Sequence, residues 1–168
     1  MPIEIERKFL VTDDDWKQSV VKTARIRDGL VAFENGRKVR VRILDDRATI
    51  AIKGQRNGLG RFEYEYSIST SEAEEILRTV CEGRHLEKVR HYVPYAGAMW
   101  EIDVYEGVLE GVVFAEVELD REDRQLELPN WVGQEVTGDG RYSKISMQRK
   151  RLQVIPTSLN PLAIPSSG

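Results

Sequence analysis

The chain has 168 residues, which suits one domain, and its mean hydropathy of −0.44 without a long apolar run argues against a membrane-spanning helix. Its 25 Lys and Arg residues against 28 Asp and Glu residues give a net charge of −3, which argues against a nucleic-acid partner. The single cysteine, Cys81, excludes an internal disulfide framework, and the acidic start over residues 1–7 is unlike a signal peptide, so we expect a cytoplasmic protein.

The predicted elements are short strands with two helices inserted among them. Thr12 followed by three aspartates is typical of a helix start and predicts a helix over roughly 13–24. Ser71 with Glu74 fits a capping box and predicts a second helix over 71–82. Alternating apolar residues between turn signals predict strands at 3–10, 30–34, 37–45, 47–53, 61–69, 86–94, 99–106 and 112–120.

The last part of the chain is predicted to be less regular. Residues 121–135 are acidic and contain Pro129 and Gly133, which indicates a short helix and an irregular turn. Residues 151–168 contain three prolines and several serines, which predicts a poorly ordered tail. We therefore divide the chain into one domain over 1–150 and a tail over 151–168.

The ionised side chains of seven predicted strands share one face of each strand. In the first strand Glu4, Glu6 and Lys8 lie on one face, because successive side chains alternate, and apolar residues lie on the other. In the later strands the ionised face carries Arg40, Arg42, Lys53, Glu63, Glu65, Lys88, Arg90, Glu101, Asp103, Glu116 and Glu118. Most of these residues come in blocks of like sign within a strand.

Two interpretations of this pattern are open. An ordinary antiparallel sheet often has one solvated, charged face. However, like charges at i and i+2 are only about 7 Å apart, so their repulsion favours a bound ligand of opposite charge. Two short helices also cannot cover the apolar face of a flat sheet with seven or eight strands. We therefore expect a strand-dominated α+β fold, a closed antiparallel β-barrel with a charged interior and short helices packed outside.

Acids and bases around one cavity suit a complex of polyphosphate with a divalent metal. Carboxylate oxygens favour Mg²⁺ or Mn²⁺, while fixed cations neutralise phosphate oxygens. The sequence has no Walker loop. The stretch 54–60 resembles a glycine-rich phosphate loop only loosely, and we interpret it as a hairpin turn because no helix directly follows it.

The order of the charged blocks resembles that of the CYTH superfamily, the triphosphate tunnel metalloenzymes. Residues 4–8 match the family's E-x-E-x-K strand, and the later blocks follow in the family's order. Residues 128–137, followed by Arg141 and Tyr142, are similar to the short bacterial branch. This resemblance implies an eight-stranded antiparallel tunnel that hydrolyses inorganic triphosphate with two Mg²⁺ or Mn²⁺ ions.

The resemblance also implies roles for individual residues. Lys8 and Asp103 are expected to be catalytic, with Asp103 orienting water or supporting another group. Metal binding is expected of Glu4, Glu6, Glu63, Glu65, Glu116 and Glu118. Binding of phosphate oxygens is expected of Lys8, Arg40, Arg42, Lys53, Lys88, Arg90 and Lys144.

Two positions depart from the family pattern. Relatives often have Gln-Gly-Tyr where this chain has residues 28–30, Asp-Gly-Leu, and asparagine where it has Lys144. Without that tyrosine, a polyphosphate-binding module without activity stays open as an alternative, and Lys144 either binds polyanion or is simply solvated. Hydrolysis of nucleoside or thiamine triphosphate and class IV adenylate cyclase chemistry are further alternatives. An apolar barrel exterior left uncovered by helices would allow a homodimer.

Overall fold

The computed structural model describes residues 2–154, which form a strand-dominated α+β fold. Its strands are β1 (Ile3–Val11), β2 (Lys22–Glu34), β3 (Arg37–Leu44), β4 (Arg47–Lys53), β5 (Gly60–Ile68), β6 (Leu86–Tyr95), β7 (Ala98–Glu106), β8 (Val113–Glu118) and β9 (Val132–Glu135). Its helices are α1 (Thr70–Arg78) and α2 (Lys144–Val154), with short 3₁₀ helices at Asp15–Ser19, Gly107–Leu109 and Gly140–Tyr142.

The sheet closes into an eight-stranded antiparallel barrel, as the sequence predicts. The strand order is β5-β4-β3-β2-β6-β7-β8-β1, and β1 returns to β5. This closing pair is short, with residues 3–5 of β1 facing 60–62 of β5. Near its end β1 pairs instead with β9, through Phe9 opposite Glu135 and Val11 opposite Val132. β9 is therefore one extra strand beside the ring.

The region predicted as the first helix contains only a short 3₁₀ turn and the beginning of a strand. The helix over 13–24 is wrong, because only Asp15–Ser19 is helical and β2 already begins at Lys22. One buried side chain, Trp16, fixes the short 3₁₀ turn to the barrel. From Lys22 the chain pairs with β6 and, from Ile26 onward, with β3, so it is held in an extended conformation. The predicted strand 30–34 is only the end of β2.

The remaining helices also differ from their predictions. α1 begins at Thr70, one residue before the predicted start, and ends at Arg78, short of the predicted end at 82. Its capping box is formed by Ser69 and Glu72 and not by Ser71 and Glu74. The stretch 121–135 contains no helix and ends instead in β9.

The helix α2 was not predicted from the sequence. It crosses the boundary that we predicted between the domain and the tail, after residue 150. The poor order predicted for the tail lies largely outside the described residues.

Three apolar clusters pack around the barrel and at one end of it. Phe9, Trp16, Trp100 and Trp131 form the largest aromatic group, with the rings of Trp100 and Trp131 5.6 Å apart. A second cluster lies between β3, β4 and α1. The third fills one end of the barrel and contains Leu86, Tyr105, Leu109, Phe114 and Val136. In the described part of the chain no helix combines the length and apolar character needed to cross a membrane.

One side of the barrel exterior carries exposed large apolar side chains. This apolar strip lies on β1, β4 and β5 and consists of Ile3, Ile52, Phe62, Tyr64 and Tyr66. Ile3 faces Phe62 and Ile52 faces Tyr64 across paired strands, so the strip is continuous.

Candidate active site

The inner faces of the strands surround a cavity of about 1080 Å³. Twelve of the fourteen ionised residues assigned to one face by the sequence line this cavity. They are Glu4, Glu6, Lys8, Arg40, Arg42, Lys53, Glu63, Glu65, Arg90, Glu101, Glu116 and Glu118. The other two, Lys88 and Asp103, are buried behind the cavity wall. The charged face of the sheet therefore points inward.

The two fully buried residues form an ion cluster with Arg90. The Arg90 guanidinium donates from Nε and Nη2 to the two Asp103 carboxylate oxygens over 2.8 and 2.9 Å, and Lys88 Nζ donates to Oδ2. Burial alone would raise the pKa of Asp103, but Lys88 and Arg90 hold it well below its usual value. Asp103 thus stays ionised and fixes two cations at the wall of the cavity.

A second ion cluster joins β1, β4 and β5. Lys53 Nζ lies 3.0 Å from Glu4 Oε1 and 2.7 Å from Glu63 Oε2. Arg61 Nε donates to Glu4 Oε2 over 3.0 Å. Burial would raise the pKa of Glu4, but Lys53 and Arg61 hold it well below its usual value. Glu4 and Glu63 are therefore occupied by bases in this state of the protein.

Several carboxylates lie opposite one another across paired strands, and one such pair, Glu101 and Glu116, shares the base Arg90. Glu6 faces Glu118 across β1 and β8, and Glu101 faces Glu116 across β7 and β8. Like charges in such positions destabilise a sheet. Burial, followed by Glu116 and Glu4, raises the pKa of Glu6 to about 7. Among residues 2–154 no three acids form a ready metal site, so a cation would have to draw these carboxylates together.

Lys8 lies at the apolar end of the cavity. Its Nζ donates to the carbonyl oxygen of Tyr142 over 2.8 Å and lies 3.9 Å from the centre of the Phe114 ring. Burial lowers the pKa of Lys8. The ammonium is thus held by a carbonyl and a ring face, and none of the described carboxylates lies within 4 Å of it.

A barrel of this shape with this order of charged residues has relatives among known proteins. The family model described as the CYTH domain matches residues 2–150. The chain belongs to the CYTH domain family. The inorganic triphosphatase of Acetivibrio thermocellus is 43% identical over 139 residues, covering 83% of this chain and 88% of that protein. The inorganic triphosphatase of Nitrosomonas europaea is 34% identical over 143 residues, covering 83% and 92%.

Solved structures give the same CYTH fold. The crystal structure of an inorganic triphosphatase superposes with a TM-score of 0.61 at 31% identity, over 88% of this chain and 95% of that chain. The crystal structure of a putative adenylate cyclase from Bacillus halodurans gives 0.57 at 18% identity, over 72% and 82%. At that low identity the second likeness supports the fold alone.

Several charged residues that line this CYTH cavity were not predicted, and four of them contact or lie beside predicted ones. Lys38 and Arg61 line the cavity. Each shares the face of predicted residues on its own strand, so the alternation that located Arg40 and Glu63 could also have located them. Arg56, 3.8 Å from Glu6, comes from the turn between β4 and β5, where no alternation exists. Asp28 was hidden because its segment was not predicted as strand.

The two departures from the family pattern meet in the cavity. Lys144 Nζ lies 3.4 Å from Asp28 Oδ2, and both residues line the cavity. The side chain of Lys144 therefore lies at the cavity wall, where it is mostly covered. Leu30 also lines the cavity and is 38% exposed.

Proposed function

We propose that this protein hydrolyses inorganic triphosphate to pyrophosphate and phosphate in the cavity of the barrel. The observation that carries the proposal is the convergence of ionised residues from seven strands on one cavity of about 1080 Å³. Two relatives with 43% and 34% identity are named inorganic triphosphatase, which supports the same reaction.

The bases on the cavity wall bind the phosphate chain in this proposal. Lys8, Arg40, Arg42, Lys53, Arg90 and Lys144 reach the cavity directly. Guanidinium and ammonium groups form short, charge-assisted hydrogen bonds to phosphate oxygens. Lys88 is too buried to line the cavity, so we assign it a supporting role beside Asp103.

The carboxylates fit a divalent metal, Mg²⁺ or Mn²⁺. The opposed pair Glu6 and Glu118, with Glu116 beside them, has more negative charge than the neighbouring bases neutralise, and its donors are hard oxygens. A metal bound there would polarise phosphoryl oxygens and activate water. Glu4, Glu63 and Glu65 complete the predicted metal set. They take part only after releasing Lys53, Arg61 or Arg40. We retain two ions as the expected number.

Lys8 and Asp103 act in different ways in this proposal. Lys8 is the catalytic residue, because its ammonium lies in the cavity and can bind or protonate an oxygen on which charge develops. Asp103 is fully buried and bonded to Lys88 and Arg90. Its role is therefore to position those cations.

The test is phosphate release from tripolyphosphate with Mg²⁺ or Mn²⁺. The wild type should release phosphate, Glu6→Gln should lose most of that activity, and Asp46→Asn, at an exposed turn, should keep it. A wild type no faster than Glu6→Gln contradicts the proposal. Tight binding of tripolyphosphate without turnover would favour the binding-module alternative.

One observation favours organic triphosphates as a second substrate class. Leu30, Phe33 and Val80 lie along the cavity, and each has more than a third of its surface exposed. These apolar side chains offer contacts to the organic part of a nucleoside or thiamine triphosphate. Turnover of ATP and thiamine triphosphate, compared with tripolyphosphate at equal metal concentration, ranks the two classes. Identification of the nucleotide product from ATP distinguishes hydrolysis from adenylate cyclase activity.

Two further expectations go with this function. The apolar strip supports a homodimer, which light scattering of the purified protein would detect as twice the 19.3 kDa chain mass. The free, buried thiol of Cys81 accords with a reducing cytoplasm, which imaging of a tagged chain would test.

A further inference from the structure

One buried carboxylate, that of Asp28, contacts bases from three different elements. Its side chain is 6% exposed and lies on the inner face of β2. Arg42 of β3 donates to both oxygens, from Nε over 2.6 Å and from Nη2 over 2.8 Å. Asp28 Oδ2 also lies 3.4 Å from Lys144 Nζ at the start of α2 and 4.0 Å from Lys88 Nζ on β6.

The contact with Arg42 fixes the direction of its guanidinium. A two-pronged bond to a carboxylate uses one edge of the planar group and removes its freedom to rotate. Nη1 is the nitrogen left over, and Arg42 lines the cavity. Asp28 therefore holds Arg42 in a single orientation before any ligand arrives.

The contact with Lys144 joins α2 to the barrel wall. Lys144 is the first residue of α2, and its side chain is only 28% exposed. The Lys144 ammonium lies between α2 and the Asp28 carboxylate. Asp28 therefore sets the position of this cation, although the strands that carry the other bases are distant from Lys144 in sequence.

Asp28 also places a negative charge where an anionic ligand must bind. This charge opposes phosphate binding in general, so Asp28 weakens affinity for any phosphate ligand. Affinity for bound substrate alone does not speed a reaction, whereas fixed cations in the right place do. The arrangement thus favours turnover and release of an anionic product over tight binding.

We propose, resting on the triphosphatase function above, that Asp28 is a positioning residue that orients Arg42 and Lys144 for the phosphate chain and limits how tightly that chain and the product are held. Lys144 is then a phosphate ligand supplied by α2.

Kinetics of Asp28→Asn and Lys144→Met with tripolyphosphate test this inference. Asp28→Asn should lower kcat by about tenfold to a hundredfold without raising KM, and pyrophosphate should inhibit it more strongly. A merely structural defect would lower the active fraction without tightening pyrophosphate binding. Lys144→Met should raise KM severalfold. In the double variant the effects of the two substitutions on kcat and KM should not be additive, because Asp28 contacts Lys144 directly.

Matched controls are Asp46→Asn at an exposed turn and Lys150→Met at an exposed position of α2. A raised KM with unchanged kcat in Asp28→Asn, or additive effects in the double variant, overturns the inference. If Asp28→Asn does not fold, an unchanged KM in Lys144→Met overturns it alone.

Metal-free calorimetry with tripolyphosphate separates this inference from the proposed function. If the wild type binds tripolyphosphate in this experiment but does not hydrolyse it once Mg²⁺ or Mn²⁺ is added, the proposed function fails. Asp28→Asn should still bind more tightly than wild type, and weaker binding overturns the inference.

Discussion

Replacing Asp103 by asparagine removes the charge that balances two buried cations. The Lys88 and Arg90 side chains are 1% and 9% exposed, and Asp103 is 0% exposed. Removing one partner of a buried ion pair costs about 3–5 kcal/mol, because the other charge stays buried without compensation. Lys88 still has Asp28 at 4.0 Å, and Arg90 still has Glu116 at 3.8 Å. We therefore expect the lower end, about 3 kcal/mol.

A loss of this size is large for one domain. Total stabilities are about 5–15 kcal/mol, and each kcal/mol shifts Tm by about 2–4 °C for a chain of this length. Asp103→Asn should thus lower Tm by about 6–12 °C and shift the urea midpoint without changing the slope of the transition. Asp46→Asn is the control, because Asp46 is exposed.

The pH dependence of the free energy of unfolding gives an independent measure of what the Asp103 charge contributes. The pKa of Asp103 is depressed below its ordinary value of 3.8, so its stabilisation is complete above that value and disappears as the pH falls further. The part of the difference between wild type and Asp103→Asn that comes from the Asp103 charge should therefore shrink as the pH falls below 3.8. A loss below about 1 kcal/mol at neutral pH would refute the view that Asp103 balances buried cations.

Three other perturbations test separate parts of the structure. Burial and then neighbouring bases, Arg61 first, lower the pKa of Lys38 from 10.5 to about 7. Between pH 7 and 10.5 the unfolded chain therefore binds more protons than the folded chain. The stability of wild type relative to Lys38→Met, from urea unfolding, should rise between pH 7 and 10.5, and a flat difference contradicts this. Mn²⁺ should raise the Tm of the wild type but shift Glu6→Gln and Glu118→Gln less, and equal shifts would exclude these residues as ligands. Gly29→Ala should cost about 1–3 kcal/mol, because its Cβ would lie 2.4 Å from Leu77 Cδ2, whereas Gly140→Ala should be near neutral.

The inward direction of the charges was predictable because alternation is a local rule. Glu63 and Glu65 face the cavity, while Tyr64 between them and Tyr66 after them face outward, as period-two geometry requires. The barrel itself followed from the need to cover apolar faces and remove free edges. The resemblance of the charged blocks to CYTH proteins supplied the count of eight strands.

The failures concern segments whose structure depends on distant partners. Along β2 the outer face also carries charges, since Arg25 pairs with Glu106 and Arg27 with Glu74 of α1. With ions on both faces, the alternation disappears and the strand cannot be recognised. Asp28 was not predicted as a cavity residue for this reason. β9 has four residues and exists only because it pairs with the end of β1.

The order of the strands along the chain governs how the site is assembled. β2 to β5 and β6 to β8 each pair with their sequence neighbours, so both groups need only short loops to close. β1 comes before both groups, yet its partners are β5, β8 and β9. Such long-range pairing forms slowly because its entropy cost precedes its reward. The strand that carries Glu4, Glu6 and Lys8 should therefore be the last to dock, and until it does Lys53 and Arg61 lack the Glu4 carboxylate that both of them contact.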